Sequence, residues 1–500
     1  MVPGYDVPIL PLLSLVLSTR SPYEVFEFAA SRSFIDTPPE SSTIPVGQPS
    51  ASIRRMALLI KATNMLLFEV ECSNNSVVIV EFTIALSAEV WDMSKRIIAG
   101  GVPEPEELYG REHVINYIWE QLSGNNVFLV APRRFGKTGV MNHLLRRPRP
   151  GYLPVYLEVE ELHDPERLGA ALIASLLEQS KLRTIISGIK NLPETVLNFI
   201  SSRIHNIKTA EFEIELRDLV KDSWDTVTRT LILEMEKADE TILFIIDEFP
   251  QFIENLARKH GDETARVFLQ WFRSLRMRQK DLLRRYRFLV GGSTSVDMIL
   301  RRLDAPDKLN DFFRVPIEAL SPEAAADLLN ALAAACDIRL TDDGRKVLFD
   351  LIAPPVPYFL QLFVSQIRME EKLAGKELSA EDIRDVYSRR VLGPTCRAYF
   401  DYYRRRLNRY GVSGERAALA ILQEIANAPA ARVSNSVLYD VYRKARKRGA
   451  SSVEFDEIMA DLETDWYVLL DPRTNEYAFL LNIMKDWWLR FYRTIGRKGM

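Results

Sequence analysis

The sequence predicts an α/β fold: a parallel sheet with helices on both faces, followed by a helical segment and a closing unit of three helices and a hairpin. Three observations carry that expectation. Short apolar runs at 127–130, 155–157, 242–246, 288–290 and 315–317 alternate with helical stretches, and unbroken apolar strands are those buried on both faces. The first run leads directly into a glycine-containing turn and a helical pattern, the strand–loop–helix order of an α/β unit. Beyond Leu320 the strand signals stop until the last fifty residues.

At 500 residues the chain exceeds one ordinary core, so about three or four folding units are expected. The composition, 47% hydrophobic and 27% charged with a formal net charge of -3, is that of a soluble globular protein and does not suggest a constitutive nucleic-acid coat. Cys72, Cys336 and Cys396 are too far apart for a disulfide framework or a thiolate metal site, which fits a reducing compartment. The five histidines show no metal-ligand spacing. Val7 to Leu17 is apolar but carries two prolines and no basic lead, and a spanning helix needs roughly 20 apolar residues. No membrane segment is expected, and the expected compartment is the cytoplasm.

Residues 1–104 read as an N-terminal extension. Ser33 to Ser52 is rich in Pro, Ser and Thr and reads as linker. Met65 to Val70 and Val77 to Thr83 flank Ser73-Asn74-Asn75-Ser76 and suggest a hairpin, with a poorly ordered extension as the alternative. Residues 105–320 carry the sheet, opening with an amphipathic stretch from Glu112 to Leu122 and interrupted by a long helical insertion at about 180–240. Residues 321–395 read as four helices (322–334, 341–352, 357–373 and 380–392), with starts marked by Ser321-Pro322-Glu323 and Ser379-Ala380-Glu381-Asp382. In 396–500, helices at 415–427, 434–448 and 452–464 precede a hairpin turning at Asp471 to Asn475, which is the winged-helix arrangement.

The chemistry centres on Ala131-Pro132-Arg133-Arg134-Phe135-Gly136-Lys137-Thr138, with Gly139 opening the helix behind it. This matches the phosphate-binding loop G-x-x-x-x-G-K-[ST] except for alanine at the first position. In such a loop the backbone N–H groups and the helix N-terminus point at one anion. Gly136 lets the backbone approach the phosphates, Lys137 reaches the β and γ oxygens, and Thr138 offers its hydroxyl to Mg2+. Alanine at position 131 is tolerable if the backbone there stays at negative φ. The alternative is a chance G-K-T in a surface loop, which the preceding strand and following helix argue against.

A second motif, Thr241 to Glu248, ends a buried strand in two adjacent carboxylates, which are costly there unless they meet a cation. Asp247 is placed to hold Mg2+, and Glu248 to orient and deprotonate the attacking water. The alternative, two acids capping the next helix, explains one acid but not both. A third strand, Phe288 to Val290, runs into Gly291-Gly292-Ser293-Thr294-Ser295, where Ser293 or Thr294 can sense the γ-phosphate. A plain turn with a serine cap is the competing reading. Basic residues cluster at Arg273, Arg276, Arg278, Lys280, Arg284, Arg285, Arg287, Arg301 and Arg302. One of them acting as an arginine finger on a neighbouring subunit's nucleotide would require a homo-oligomer; a solvated basic face is the plainer reading.

Together these motifs resemble the archaeal-type ATPase family, in the STAND branch of the AAA+ P-loop ATPases. Ala131 to Thr138 is similar to that family's G-P-R-R-x-G-K-T loop, and Leu108-Tyr109-Gly110-Arg111-Glu112 to the G-R-E box near the adenine. Ile245-Ile246-Asp247-Glu248-Phe249-Pro250 resembles its Walker B strand and Gly291 to Thr294 its sensor strand. Phe313-Arg314 to Leu320-Ser321 resembles the crossing into the lid, and Tyr477 to Phe479 with Asp486-Trp487-Trp488 the end of the winged helix. The likeness spans about 105–495. It implies ATP rather than GTP, Mg2+ as cofactor, slow hydrolysis, and Gly110, Arg111 and Pro357 near the nucleotide. Pro357 matches the lid motif G-x-P, but its glycine is replaced by Pro355.

Two outputs remain open on the sequence. One is a switch whose winged helix engages protein partners; the other is a DNA-binding ATPase. The third helix of the closing unit carries Glu454, Asp456, Glu457, Asp461, Glu463 and Asp465 without a single Lys or Arg, which repels DNA. Arg443, Lys444, Arg446, Lys447 and Arg448 lie instead on the second helix and its end, where they can track a phosphate backbone without reading sequence. A protein-facing or intramolecular winged helix is therefore expected, with non-specific DNA contact as the second reading.

Overall fold

A computed structural model describes residues 53–61, 65–72, 77–83, 101, 103–189, 191–203, 210–277, 285–292, 296–446 and 449–492. The chain divides into two units, Met1–Trp91 and Asp92–Met500. In the first, strands β1 (Ile53–Lys61), β2 (Met65–Cys72) and β3 (Val77–Thr83) form an antiparallel sheet in that order. The expected hairpin is β2–β3, with Met65 opposite Thr83 and Glu71 opposite Val77. Strand β1 was not expected, since its Arg, Met, Ala and Leu residues carry little strand preference. The linker at 33–52 and the turn at 73–76 fall outside the described residues.

The second unit is built on five parallel strands: β4 (Asn126–Val130), β5 (Tyr152–Glu158), β6 (Thr241–Asp247), β7 (Tyr286–Gly292) and β8 (Phe312–Pro316). Their order is β5-β6-β7-β4-β8, so β6, β7 and β4 are central and the loop after β4 lies mid-sheet. The last strand begins three residues earlier than the apolar run suggested, because Phe312 is buried and Ile317 only continues the edge by donating its N–H to Val130 O at 2.9 Å. Alternate residues serve opposite faces. Val127, Leu129, Leu243, Ile245 and Leu289 join one core, and Phe128, Phe244, Ile246, Phe288 and Val290 the other.

The first core holds α1 (Glu112–Leu122) and α2 (Lys137–Arg146). The second holds α3 (Pro165–Glu178) and the insertion, which consists of α4 (Ser180–Ser187), α5 (Glu194–Arg203), α6 (Ala210–Val220) and α7 (Trp224–Glu234). It is completed by α8 (Phe249–His260), α9 (Asp262–Met277) and α10 (Val296–Arg302).

The first core continues without a break into the C-terminal half. There α11 (Pro322–Ala335), α12 (Asp342–Ile352), α13 (Pro357–Arg368) and α14 (Ala380–Val386) stand where four helices were expected, but α13 stops short of 373 and α14 gives way to a π-helical turn at Tyr387–Val391. Ser321 Oγ accepts from Ala324 N, and Ser379 and Asp382 form a reciprocal capping box, as their sequences signalled. Two-residue strands β9 (Arg339–Leu340) and β10 (Glu377–Leu378) pair between them.

The closing unit runs α15 (Arg397–Arg406), α16 (Gly411–Asn427), β11 (Val433–Ser434), α17 (Asn435–Arg446), α18 (Ser452–Thr464), β12 (Val468–Asp471), β13 (Glu476–Phe479) and α19 (Asn482–Tyr492). Its sheet order is β11-β13-β12. Helix α18 buries Phe455, Ile458, Met459 and Leu462, the expected stripe. Helices α15 and α19 were not expected. The first is mostly Arg and Tyr with no simple apolar stripe, and the second was read only as a chain end, although its Trp487 and Trp488 are fully buried.

Candidate functional site

After β4 the chain turns through residues 131–136 into α2. Two positions in the turn are left-handed, Arg134 at φ 78° and Gly136 at φ 93°. Glycine accepts that conformation freely, whereas Arg134 is held there at a cost of about 1–3 kcal/mol. Part of what holds the turn is Arg111, whose buried guanidinium donates from Nη2 to Phe135 O at 3.0 Å. Burial lowers the Arg111 pKa to about 10, against the raising charges of Glu112 and Glu318. Arg111 therefore supports the loop from behind. Gly110, at φ 61°, packs so tightly on α11 that a Cβ would lie 2.3 Å from Ala324 Cβ. Gly139 is buried in a similar way under Pro103 and Leu108, so its lack of a side chain serves that packing.

Lys137 is only 6% exposed. Its Nζ lies 3.4 Å from Asp247 Oδ1 and 3.3 Å from Glu248 Oε1. Thr138 Oγ1 donates to Asp247 Oδ2 at 2.7 Å, and Glu248 N donates to Asp247 Oδ1 at 2.9 Å. The two sequence motifs thus meet in one cluster. Glu248, at φ 57°, stands at the N-cap position of α8 but makes no capping bond with its side chain, so the helix-capping alternative does not describe it.

The paired glycines at the end of β7 provide the clearance. A Cβ on Gly291 would lie 2.9 Å from Lys137 Cδ and 2.7 Å from Met141 Cε, and one on Gly292 2.4 Å from Pro250 Cδ. They sit within the strand rather than in a turn, and the serine cap of the competing reading falls outside the described residues. Ser293 and Thr294 fall outside the described residues.

The surroundings of the cluster are acidic. Glu158 on β5 is the register partner of Asp247. The carboxyl pKa of Glu160 is raised by burial and by Glu248, with Arg133 opposing. Tyr156 is likewise raised by burial and by Asp247, Glu158 and Glu248. Such an excess of carboxylates around one ammonium favours a further cation. Among the described residues no group of three or more His, Cys, Asp or Glu forms a metal cage. Thr138 and Asp247 fit Mg2+, which characteristically takes one or two protein ligands alongside phosphate oxygens.

The C-terminal half lies directly on the loop, through residues the sequence reading did not single out. The Arg134 guanidinium stacks over Tyr358 at 4.0 Å and Tyr399 at 5.5 Å, and that of Arg133 over Tyr402 at 4.5 Å. Tyr403 OH donates to Arg133 O at 3.3 Å, and the Phe135 and Trp466 ring centroids are 5.7 Å apart. Burial raises the Tyr358 hydroxyl to about 12, with Arg134 opposing. Pro357 opens α13 next to Tyr358, which brings this helix to Arg134. The tyrosine-rich run 399–403 and Asp465-Trp466-Tyr467 were the available signals.

Ion pairs order the C-terminal half and tie it to α8 and α10. Within that half, Arg406 Nη2 donates to Asp465 Oδ1 at 2.7 Å in a buried pair. Arg409 Nη2 donates to Gln251 Oε1 at 2.8 Å and lies 2.9 Å from Glu254 Oε2, both on α8. Arg301 pairs with Asp461. Of the acids in and just after α18, Asp461 reaches the sheet unit through Arg301, Asp465 is held by Arg406 of α15, and Glu454 accepts from Tyr442 OH and Arg446. The basic cluster is mostly structural. Arg273 pairs with Asp307, Arg276 is bidentate on Asp311 between the Phe272 and Phe312 rings, and Arg285 and Arg287 donate to backbone carbonyls. Arg278, Lys280 and Arg284 fall outside the described residues.

No protein-family model matches the sequence, and a comparison with curated proteins returns no match. The structure is similar to the Walker-type ATPase of Pyrococcus abyssi, with TM-score 0.54 and 15% identity over 77% of this chain and 97% of that one. It also aligns with the Aeropyrum pernix ORC2 protein in its ADPNP–ADP complexes, at TM-score 0.46 and 12% identity over 77% and 92%. The first likeness supports the fold: a five-stranded parallel sheet with helices on both faces and a helical C-terminal region.

Proposed function

We propose that this chain is an ATP-binding and slowly ATP-hydrolysing P-loop switch of the AAA+ type, whose nucleotide state controls a C-terminal winged-helix unit that engages protein partners. One observation carries the reading: Lys137, Thr138, Asp247 and Glu248 converge within 2.7–3.4 Å on a turn left-handed at Gly136. Working divisions for testing are 105–320 for the ATPase core, 321–395 for the lid and 396–500 for the winged helix.

Each side chain has a definite task. The loop amides around Gly136 and the N-terminus of α2 bind the phosphates, and Lys137 exchanges its carboxylate contacts for phosphate oxygens. Thr138 and Asp247 hold Mg2+, which when bound neutralises charge on the phosphate oxygens. Glu248 orients the attacking water and accepts its proton. Ser293 is assigned to the terminal phosphate from its sequence position alone. Arg111 keeps the loop in shape through Phe135 O, and burial beside Arg134 makes the lid responsive to the same loop.

Protein partners are favoured over DNA by the acidity of α18, on which Asp456 and Glu457 are exposed and Asp461 is engaged by Arg301. Titrating Mg-ATP into the whole chain tests the nucleotide reading. Wild type binds, Lys137→Ala does not, and Glu248→Gln binds but turns over far more slowly; equal binding by Lys137→Ala refutes it. Duplex DNA titrated at rising salt tests the output, and tight binding with a steep salt slope would instead favour the DNA reading.

A further inference from the structure

Helix α8 starts from Glu248, and two polar side chains of its middle turns, Glu254 and Asn255, are only 5% and 6% exposed. Groups of this kind are buried when they are bonded, and here they belong to one connected path. Arg409, in the single turn Leu407–Tyr410 after α15, donates from Nη2 to Gln251 Oε1 at 2.8 Å and lies 2.9 Å from Glu254 Oε2. Gln251 Nε2 donates to Asn255 Oδ1 at 2.9 Å. Asn255 Nδ2 donates in turn to Glu160 O at 2.8 Å and to Leu162 O at 3.4 Å. The direction of the path is fixed from both ends, because a guanidinium only donates and a carbonyl only accepts. Reversing it would set a donor against Arg409 and an acceptor against Glu160 O.

Both ends of α8's part in this path touch the reacting side of the site. Gln251 N donates to Glu248 O at 3.0 Å. The turn held by Asn255 follows β5, and its Val159 N donates to Asp247 O at 3.3 Å. The same turn carries Glu160, whose carboxyl is raised by burial and by the Glu248 charge.

We infer that Gln251 and Asn255 are positioning residues for Glu248: through them Arg409 of the C-terminal half holds the turn at 159–162 beside the Glu248 carboxylate, so that hydrolysis depends on that half being docked on α8. This rests on the P-loop reading above. No member of the path lies within 131–138, so its loss falls on turnover and not on nucleotide affinity. When Arg409 leaves α8, the two amides lose the donor that fixes their direction, and the turn loses its ordered partner.

The test measures, on the full chain, kcat with Mg-ATP and the affinity for a non-hydrolysable ATP analogue with Mg2+. Gln251→Glu is the sharpest variant. It keeps an acceptor for Arg409, now charge-assisted, but removes the donor to Asn255, whose amide must then turn its Oδ1 against Glu160 O. The expected result is a kcat lower by on the order of tenfold with the analogue's affinity unchanged, which also shows that the variant is folded. Arg409→Ala should lose a similar factor, Arg409→Lys should recover part of it, and Arg409→Ala with Gln251→Glu should lose no more than either alone, since all interrupt one path. Additive losses, or analogue affinity falling in step with kcat, overturn the assignment. Turnover that is absent, or that Glu248→Gln leaves unchanged, removes the hydrolytic reading itself. Turnover that needs Glu248 but is untouched by Gln251→Glu and Arg409→Ala removes only the present inference.

Discussion

The insertion and the segment running from α15 to β12 both pack on the sheet unit, but through different chemistry. Helices α4 to α7 attach through apolar side chains such as Leu182, Ile186, Phe212, Leu231 and Ile232, all buried in the second core. The C-terminal segment meets the loop through stacked guanidinium groups and a tyrosine hydroxyl, and meets α10 and α8 through the Arg301–Asp461 and Arg409–Glu254 ion pairs. Apolar contacts have no competitor among phosphate oxygens. Cation–π and ionic contacts do, because an incoming anion can take the same guanidinium. The insertion is held mainly by apolar packing, whereas the C-terminal segment adds, to the apolar core it shares with the sheet unit, polar contacts for which an anion at the loop can compete.

The comparison breaks most visibly in the insertion. Leu231→Ala should cost about 2–5 kcal/mol of global stability, measured by denaturant unfolding, with nucleotide affinity of the folded protein unchanged. A nucleotide-selective effect there would erase the distinction. Asp465→Ala leaves Arg406 buried and unpaired, a cost of about 3–5 kcal/mol if the segment stays docked. The expected response is local: protease cleavage within 399–467 at denaturant concentrations where the sheet remains intact. Simultaneous loss of both regions would show that the segment is as permanent as the insertion.

Smaller changes refine the boundary. Gly291→Ala should displace the Lys137 stem and cost about 1–3 kcal/mol, seen mainly as weaker nucleotide binding. Tyr399→Ala, removing the more distant of the two rings over Arg134, should cost about 0.5–1 kcal/mol of docking and raise hydrogen exchange around Arg134. The smallest effect concerns Glu160, whose folded pKa is raised by burial and Glu248. The folded state holds that proton more tightly than the unfolded chain, so the contribution is present below the ordinary carboxylate value and is lost as pH rises through the higher folded value. Glu160→Gln should flatten stability across that window and leave it unchanged elsewhere.

The sheet was legible because β6 and β7 contain the apolar runs 242–246 and 288–290 and because Lys137, Asp247 and Glu248 carry strongly constrained chemistry. Helices α11 and α14 announced themselves through Ser321 and Ser379. Helix α15 did not, since its burial depends on Phe400, Tyr403 and Arg406 meeting groups brought by other elements. The docking of Asp465 on Arg406 joins positions 59 apart in sequence, and neither partner shows a local sign of it. Gly291 and Gly292 were visible as residues, but the need for them appears only when Lys137 and Pro250 cross the strand. The acidity of α18 was visible in the sequence, though Arg301 and Arg406 were not identified as the partners of Asp461 and Asp465.

The most direct test of the coupling is hydrogen exchange across 399–403 and 461–467, with and without saturating Mg-ATP, in wild type and in Lys137→Ala. The account predicts that ATP changes exchange in both segments of the wild type and in neither segment of the variant, while helices α4 to α7 stay as they were. Unchanged exchange in 399–403 and 461–467 of a wild-type chain shown to have ATP bound would contradict it.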